Sequence, residues 1–279
     1  MKKLSILLLT MYCCPAFGQQ KKTYNFDYNI IYQMSYQPDS NNKAGVQKEY
    51  MELLTNDSTS VFRAVKRGKL DSAIYSEFKK GNLMGPSDIA FITNNFSQIT
   101  YVIVKEKQRQ KTLTFDQIYI TEPLYYDEDL EDLKWEIKND TTTINGLACQ
   151  RADLTFGHRK WIAWFAPEIP ITDGPYKFAG LPGLIIKITD NQGYWSFDML
   201  SLKNTKKEVA LNFDKARLPV HIDKKLFFKQ KRNYIDNAFE INEARGYTTP
   251  NAAARESLRK HFSERAKKNN NWIELYKAN

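Results

Sequence analysis

Alternating apolar and polar residues predict β-strands along the first half of the chain. From Phe26 to Tyr36 every second residue is large and apolar, which is the period-two pattern of a half-buried strand. Further apolar segments predict strands over residues 48–54, 60–65, 99–104 and 112–121. Residues 72–79 predict a short surface helix, whereas residues 82–95 are polar and interrupted by glycine and proline, which predicts a loop.

Closely spaced strands continue beyond residue 135. The apolar segments there are separated by short turns, of which Asn145-Gly146 has the strongest turn signal. They cover residues 135–138, 139–146, 147–156, 160–165, 184–188, 194–202 and 209–213. Because a parallel crossover needs a dozen or more residues, strands joined this closely must be antiparallel.

The C-terminal part has a helical pattern. Residues 224–242 and 251–268 lack turn residues and carry spaced apolar positions, and residues 252–254 are three alanines in a row. The chain therefore predicts an α+β fold, in which a predominantly antiparallel, curved sheet (half-barrel or sandwich-like) precedes C-terminal helices. No composition shift divides residues 19–279, so we expect a single domain.

The N-terminus has the pattern of a secretory signal peptide. Lys2 and Lys3 precede a short apolar run, and Ala16-Phe17-Gly18 offers small residues for cleavage after Gly18. The run is too short for a permanent anchor, and no transmembrane segment is expected in the mature chain. Residues 1–18 thus predict export, leaving a protein that is periplasmic, associated with the outer membrane or secreted.

The chain is basic, with a net charge of +9 and an isoelectric point near 9.2. In a cytosolic protein this charge would favour nucleic-acid binding. In an exported protein it suits solubility or contact with anionic lipid, so no nucleic-acid partner is expected.

Few residues have the spacing of a metal, cofactor or catalytic site. Cys149 is the one cysteine beyond the signal peptide, so an internal disulfide is excluded, and it lies in a predicted strand where a buried structural thiol is the commoner case. The three histidines (His158, His221 and His261) are far apart, and neither a metal site nor a cofactor is expected. The acidic residues 127–132 could bind Ca²⁺, but they better suit the start of a helix.

A segment rich in proline and glycine interrupts the strands, and we name residues 170–183 the Pro/Gly loop. Its composition predicts a shaped loop that is either an exposed binding loop or a structural corner. Gly174 and Gly183 would allow close approach of a ligand or of another backbone segment. The candidate binding or structural residues are Asp173, Gly174, Pro175, Tyr176, Lys177, Phe178, Gly180, Leu181, Pro182 and Gly183.

The strand before this loop is aromatic on both faces. Trp161 and Phe165 lie on one face and Trp164 on the other, because side chains alternate along a strand. One face must pack on the core. The other could be covered by the C-terminal helices, or could form a hydrophobic groove for a ligand.

Residues 169–185 carry a family resemblance. Gly180 to Ile185 read GLPGLI, and the surrounding Pro-Ile, Gly-Pro and Lys-Phe pairs resemble the longer pattern of the GLPGLI family. Trp135, residues 144–146 and residues 149–152 are similar to strand landmarks of that family. The resemblance implies export to the cell envelope of Gram-negative bacteria, and it brings no agreed biochemical role and no agreed catalytic residues.

The absence of catalytic spacing favours an exported, non-enzymatic binding or accessory protein. Such a protein would bind a hydrophobic ligand, a lipid, a peptide or an outer-membrane partner. The alternative is an envelope hydrolase or peptidase-like enzyme with its site near the Pro/Gly loop, for which Asp173, Tyr176 and Lys177 would be the first residues to test. A third alternative is a self-associating structural component of the surface.

Overall fold

The fold is that of a computed structural model, which describes residues 23–80, 86–118, 123–210 and 218–276. The expected signal peptide, residues 1–18, lies outside the described residues. The strands are β1 (Thr23–Tyr36), β2 (Gln47–Thr55), β3 (Thr59–Ala64), β4 (Val102–Glu106), β5 (Lys111–Gln117), β6 (Pro123–Asp129), β7 (Glu136–Ile144), β8 (Leu147–Phe156), β9 (Arg159–Ala166), β10 (Leu184–Asp190), β11 (Trp195–Ala210) and β12 (Val220–His221).

These strands form one sheet with the order β12-β6-β5-β4-β3-β2-β1-β11-β10-β9-β8-β7. Every neighbouring pair is antiparallel except the short β12, which runs parallel to β6. The α+β class and the antiparallel sheet expected from the sequence are confirmed. A single continuous sheet matches the half-barrel alternative, because a sandwich needs two sheets.

Turn chemistry explains several of the strand connections. Asn145 and Gly146 have φ angles of 53° and 79°, which are the left-handed conformations of a tight hairpin turn between β7 and β8. In β1, Ile30, Tyr32 and Met34 alternate inward and are fully buried. Two register shifts in the pairing of β1 with β11 mark irregularities of the kind that bends a sheet.

The Pro/Gly loop lies on the concave face of this sheet. Phe178 packs against Trp161 of β9, with ring centroids 4.8 Å apart, and against Phe156 of β8 at 5.8 Å. The same loop contacts Lys105 of β4, on the other side of the sheet's centre. One loop can contact strands this far apart in the strand order because the sheet curves around the loop.

In the described part of the chain, five helices lie outside the sheet: α1 (Val65–Lys80), α2 (Pro86–Asn94), α3 (Lys224–Asp236), α4 (Ala238–Ala244) and α5 (Ala252–Lys267). The side chains of Asp223 and Asn251 cap α3 and α5 by accepting backbone N–H groups. Helix α3 packs against β6, where Phe227 and Tyr126 have ring centroids 5.1 Å apart. Among the described helices, none combines the length and apolar character needed to cross a bilayer.

Some local expectations were wrong. Residues 86–94 form helix α2 instead of a loop, because a proline at the first helical position removes only an N–H that has no helical acceptor. The first half of the acidic run, residues 127–129, belongs to strand β6, and Leu130–Asp132 form a single 3₁₀ turn. The predicted helix over residues 224–242 is two helices, which meet at Asn237.

Candidate ligand cavity

The Pro/Gly loop is largely buried, which favours the structural-corner alternative over the exposed binding loop. Side chains from Asp173 to Ala179 are buried, while Gly180 and Pro182 remain exposed. At Gly183, φ is 152°, and a Cβ there would lie 2.3 Å from the carbonyl oxygen of Ala166. The loop is therefore a structural corner that packs on the concave face of the sheet, and the side chains of Phe178 and Leu181 lie in the hydrophobic core.

Asp173 joins the loop to the centre of the sheet. Its carboxylate lies 2.5 Å from Nζ of Lys105 and 3.3 Å from Nζ of Lys107, and it accepts a hydrogen bond from the hydroxyl of Thr55. Burial alone would raise the pKa of Asp173, but the charges of Lys105 and Lys107 hold the pKa down at about 2. Asp173 is thus an ionised structural anchor, and it does not face an open cleft.

A second buried ionic cluster joins the loop to the C-terminal tail, residues 269–276. Glu274 of the tail lies 2.5 Å from Nζ of Lys177 and 2.7 Å from Nζ of Lys224, and both lysines also pair with Glu128. Burial would raise the pKa of Glu274, but the charges of Lys177 and Lys224 hold the pKa at about 2. The cluster is therefore charged at neutral pH and fixes the tail against the loop.

The tail is also held at its other end. Arg159 forms an ion pair of 2.8 Å with Asp190 and donates hydrogen bonds to the carbonyls of Trp272 and Ile273. Asn271 donates to the carbonyl of Gln37 at 2.7 Å. These contacts place the tail across one end of the sheet, where it forms a wall.

A cavity of about 430 Å³ lies between this end of the sheet, helix α3 and the tail. Its volume falls within the range of small-molecule sites. Aromatic rings from all three elements and from the loop line it. The rings are those of Tyr36, Tyr101, Tyr126, Tyr176, Trp195, Phe227, Phe228 and Trp272.

Tyr176 connects the Pro/Gly loop to the cavity. Its φ angle is 53°, a left-handed conformation that is uncommon for a bulky residue and that tends to occur at functional sites. Its ring lines the cavity, and its hydroxyl donates to Glu274 at 2.5 Å. Tyr176 is the one predicted site residue that the structure places in the cavity wall.

Two polar side chains of β5 lie in the floor of the cavity. The carboxylate of Asp116 accepts a hydrogen bond from Thr100 at 2.6 Å and pairs with Lys231 of α3 at 2.8 Å. The hydroxyl of Thr114 is buried and has no hydrogen-bond partner among the described residues. Since buried polar groups are normally hydrogen-bonded, Thr114 marks a position where a ligand or water would be bound.

The tyrosines of the cavity are neutral at physiological pH. Burial is the main cause that raises the pKa values of Tyr101, Tyr126 and Tyr176 well above 10, and neighbouring carboxylates add to the effect. Tyr101 has only the sulfur of Met34 as a hydrogen-bond acceptor, at 3.7 Å. The walls therefore offer apolar ring faces and neutral hydroxyl groups.

The aromatic strand β9 faces the loop and not the cavity. Trp161 and Phe165 form the face that packs on the core, where Phe178 of the Pro/Gly loop contacts Trp161. On the other face, Trp164 is half-buried between its cross-strand neighbours Arg151 and Lys187.

The other candidate reactive groups do not come together in one site. Burial raises the pKa of the Cys149 thiol, which makes it a weak nucleophile. Within the described ranges, no group of three potential ligands could hold a metal ion. Lys177, a candidate catalytic residue, is only 2% exposed and is committed to ion pairs.

Sequence reasoning missed most residues of the cavity. Thr114, Asp116 and Lys231 are not part of any motif, and strand pairing together with helix packing brings them together. One signal was available: Thr112, Thr114 and Asp116 are polar residues at alternate positions, on the face of β5 that the structure buries.

Comparison with known proteins gives limited matches. Residues 155–187 match the profile of a family described as "Protein of unknown function (Porph_ging)". No match was found among curated proteins. Two solved structures, "Structure of PNGF-II in C2 space group" and "Structure of PNGF-II in P21 space group", are similar over 74% of this chain, each with 14% identity and a TM-score of 0.49. The chain spans about a third of the length of those structures, with 32% and 33% of them covered. The residues that match the family profile include the hexapeptide Gly180 to Ile185.

Proposed function

We propose that this protein binds a small amphipathic ligand in the cavity between the sheet and the C-terminal helices. The observation that supports this most is the buried, unpaired hydroxyl of Thr114 in a cavity lined by eight aromatic side chains. Ligand sites combine such apolar walls with a small number of placed polar groups. A buried hydroxyl without a partner costs stability, and a ligand atom that accepted or donated a hydrogen bond there would remove that cost.

Binding fits the site better than catalysis does. Among the described residues that line the cavity, Asp116 is the one carboxylate, and it is already paired with Lys231 and Thr100. Asp173 and Lys177, the candidates for a hydrolase site, are buried in ion pairs. A general base must reach a substrate proton within hydrogen-bond distance, and these two groups face protein partners instead.

Binding of an uncharged fluorescent probe, N-phenyl-1-naphthylamine, tests this proposal. We expect saturable dye fluorescence, quenching of Trp195 and Trp272, and a rise in melting temperature with dye concentration. The variant Gln98→Phe, at an exposed position on the cavity wall, should weaken binding by about tenfold, or 1.4 kcal/mol. Gln192→Phe, in the exposed turn after β10, is the matched control. Absence of binding, or equal binding by both variants, would contradict the proposal.

We further propose that the protein is exported and belongs to the GLPGLI family. The charged start, the short apolar run and Ala16-Phe17-Gly18 support export, and the hexapeptide supports the family. An outer-membrane partner or a lipid source for the ligand would follow from this location. Sequencing of the mature N-terminus after expression in a Gram-negative host tests export: a start at Gln19 supports it, and a retained Met1 contradicts it.

A further inference from the structure

We infer that the ligand is an anionic amphiphile, with an apolar body and one acidic group. This inference rests on the proposed function, since it assigns a ligand class to the same cavity. Among the residues that the structure describes, four charged side chains line the cavity, and three of them, Lys231, Arg265 and Lys268, are basic. The single acidic one, Asp116, is neutralised by Lys231 at 2.8 Å. Two positive charges therefore remain without a partner in the wall.

Those two charges are at the solvent side of the cavity. Arg265 lies in the last turn of α5, and Lys268 is the residue that ends this helix. Both side chains are exposed, and neither forms an ion pair with any residue that the structure describes. Basic residues at a helix C-terminus also interact favourably with the helix dipole. That role would explain their position along α5, but it would leave their charges available to a bound anion.

The inner part of the cavity suits the rest of such a ligand. Trp195 and Tyr36 stack with ring centroids 5.1 Å apart, and those of Phe228 and Trp272 are 6.2 Å apart. These rings would cover an apolar body, and the hydroxyl of Thr114 would bond to a polar atom on it. An acidic group would then extend toward Arg265 and Lys268. Charge-assisted contacts of this kind are stronger than neutral hydrogen bonds.

A matched pair of dyes tests the inference. The dye 8-anilinonaphthalene-1-sulfonate shares its aromatic body with uncharged N-phenyl-1-naphthylamine and adds one sulfonate. We expect the sulfonate dye to bind about tenfold more tightly at low salt, and this advantage should shrink as salt rises. The double variant Arg265→Gln/Lys268→Gln should remove the advantage, so that the ratio of the two dye affinities falls from about ten to about one.

The control variant is Lys260→Gln/Lys267→Gln, which removes two charges from the same helix at exposed positions outside the cavity wall. If both double variants weaken the sulfonate dye equally, overall charge is the cause and the inference is wrong. If the uncharged dye binds and the sulfonate gives no advantage, the inference fails while the proposed function stands. If neither dye binds, the proposed function itself fails.

The source of the acidic amphiphile is distinguished by competition. Laurate carries an apolar chain and one acidic group in a soluble molecule. Phosphatidylglycerol carries both in a membrane lipid and is presented as vesicles. Displacement of the sulfonate dye by laurate alone supports a soluble ligand, and displacement by vesicles supports a lipid. Displacement by neither contradicts the inferred ligand class.

Discussion

Lys177 of the Pro/Gly loop and Glu274 of the C-terminal tail are 97 residues apart in sequence, and their charged groups lie 2.5 Å from each other in the interior. Their side chains are 2% and 0% exposed. This pair fixes the tail, and the tail forms one wall of the cavity. The loop thus shapes the cavity in two ways: the ring of Tyr176 lines it, and the ion pair between Lys177 and Glu274 holds the tail in place.

Loss of Glu274 should strongly destabilise the protein. Glu274→Ala leaves Lys177 buried without one of its two carboxylate partners, and removal of one partner of a buried pair costs about 3–5 kcal/mol. Urea denaturation measures the free energy of unfolding. Glu264→Ala, at an exposed position of α5, is the control and should change stability by less than about 0.5 kcal/mol. A Glu274→Ala effect as small as that of the control would refute the anchoring role.

Stability should fall steeply in acid. The pKa of Asp173 and that of Glu274 are each about 2 in the folded protein, below the ordinary values of 3.8 and 4.5. The unfolded chain therefore takes up protons first, so stability is fully present above about pH 5 and is lost as pH falls toward 2. Melting temperatures between pH 7 and pH 2 measure this loss. Glu274→Gln should show a shallower decline, and a slope equal to that of the wild type would contradict the assignment.

The two glycines of the hexapeptide should differ in their tolerance of alanine. At Gly180, φ is 91° and a Cβ would meet no atom within 4 Å. Gly180→Ala should therefore lower the free energy of unfolding only by the backbone strain of a left-handed conformation, about 1–2 kcal/mol. Gly183→Ala adds a clash with the backbone of Ala166, which brings a further cost of about 1–3 kcal/mol. Unfolding free energies of the two variants compare them directly. Equal costs would show that the backbone contact at Gly183 is not limiting.

Two threonines near Asp116 should respond oppositely to valine. The hydroxyl of Thr100 donates to Asp116 at 2.6 Å, so Thr100→Val should cost about 1.5–3 kcal/mol. The hydroxyl of Thr114 has no partner among the described residues, so Thr114→Val should be neutral or stabilising without ligand. It should also weaken the binding of a ligand that bonds to this hydroxyl. A large loss of stability in ligand-free Thr114→Val would show that this hydroxyl already has a partner.

Most of the fold could be predicted from local sequence patterns. Alternation in residues 26–36 and the Asn145-Gly146 turn each report on a few neighbouring residues, and the structure confirms both. Burial of Asp173 and Lys177 could not be predicted, because their partners Lys105 and Glu274 are distant in sequence. Charged residues in a loop are usually solvated, and only the tertiary ion pairs make their burial favourable.

The cavity could not be predicted from local sequence patterns for the same reason. Asp116 and Lys231 belong to no sequence motif, and only the packing of α3 on β6 brings them together. The expectation of a ligand between sheet and helix stays a proposal. The aromatic strand on which it was based proves to pack under the loop.

A crystal structure with bound 8-anilinonaphthalene-1-sulfonate tests the central claim most directly. We expect density for the dye body among Tyr101, Trp195 and Trp272, with the sulfonate within hydrogen-bond distance of Arg265 or Lys268. An empty cavity with the dye bound elsewhere on the surface would contradict the claim that this is the ligand site.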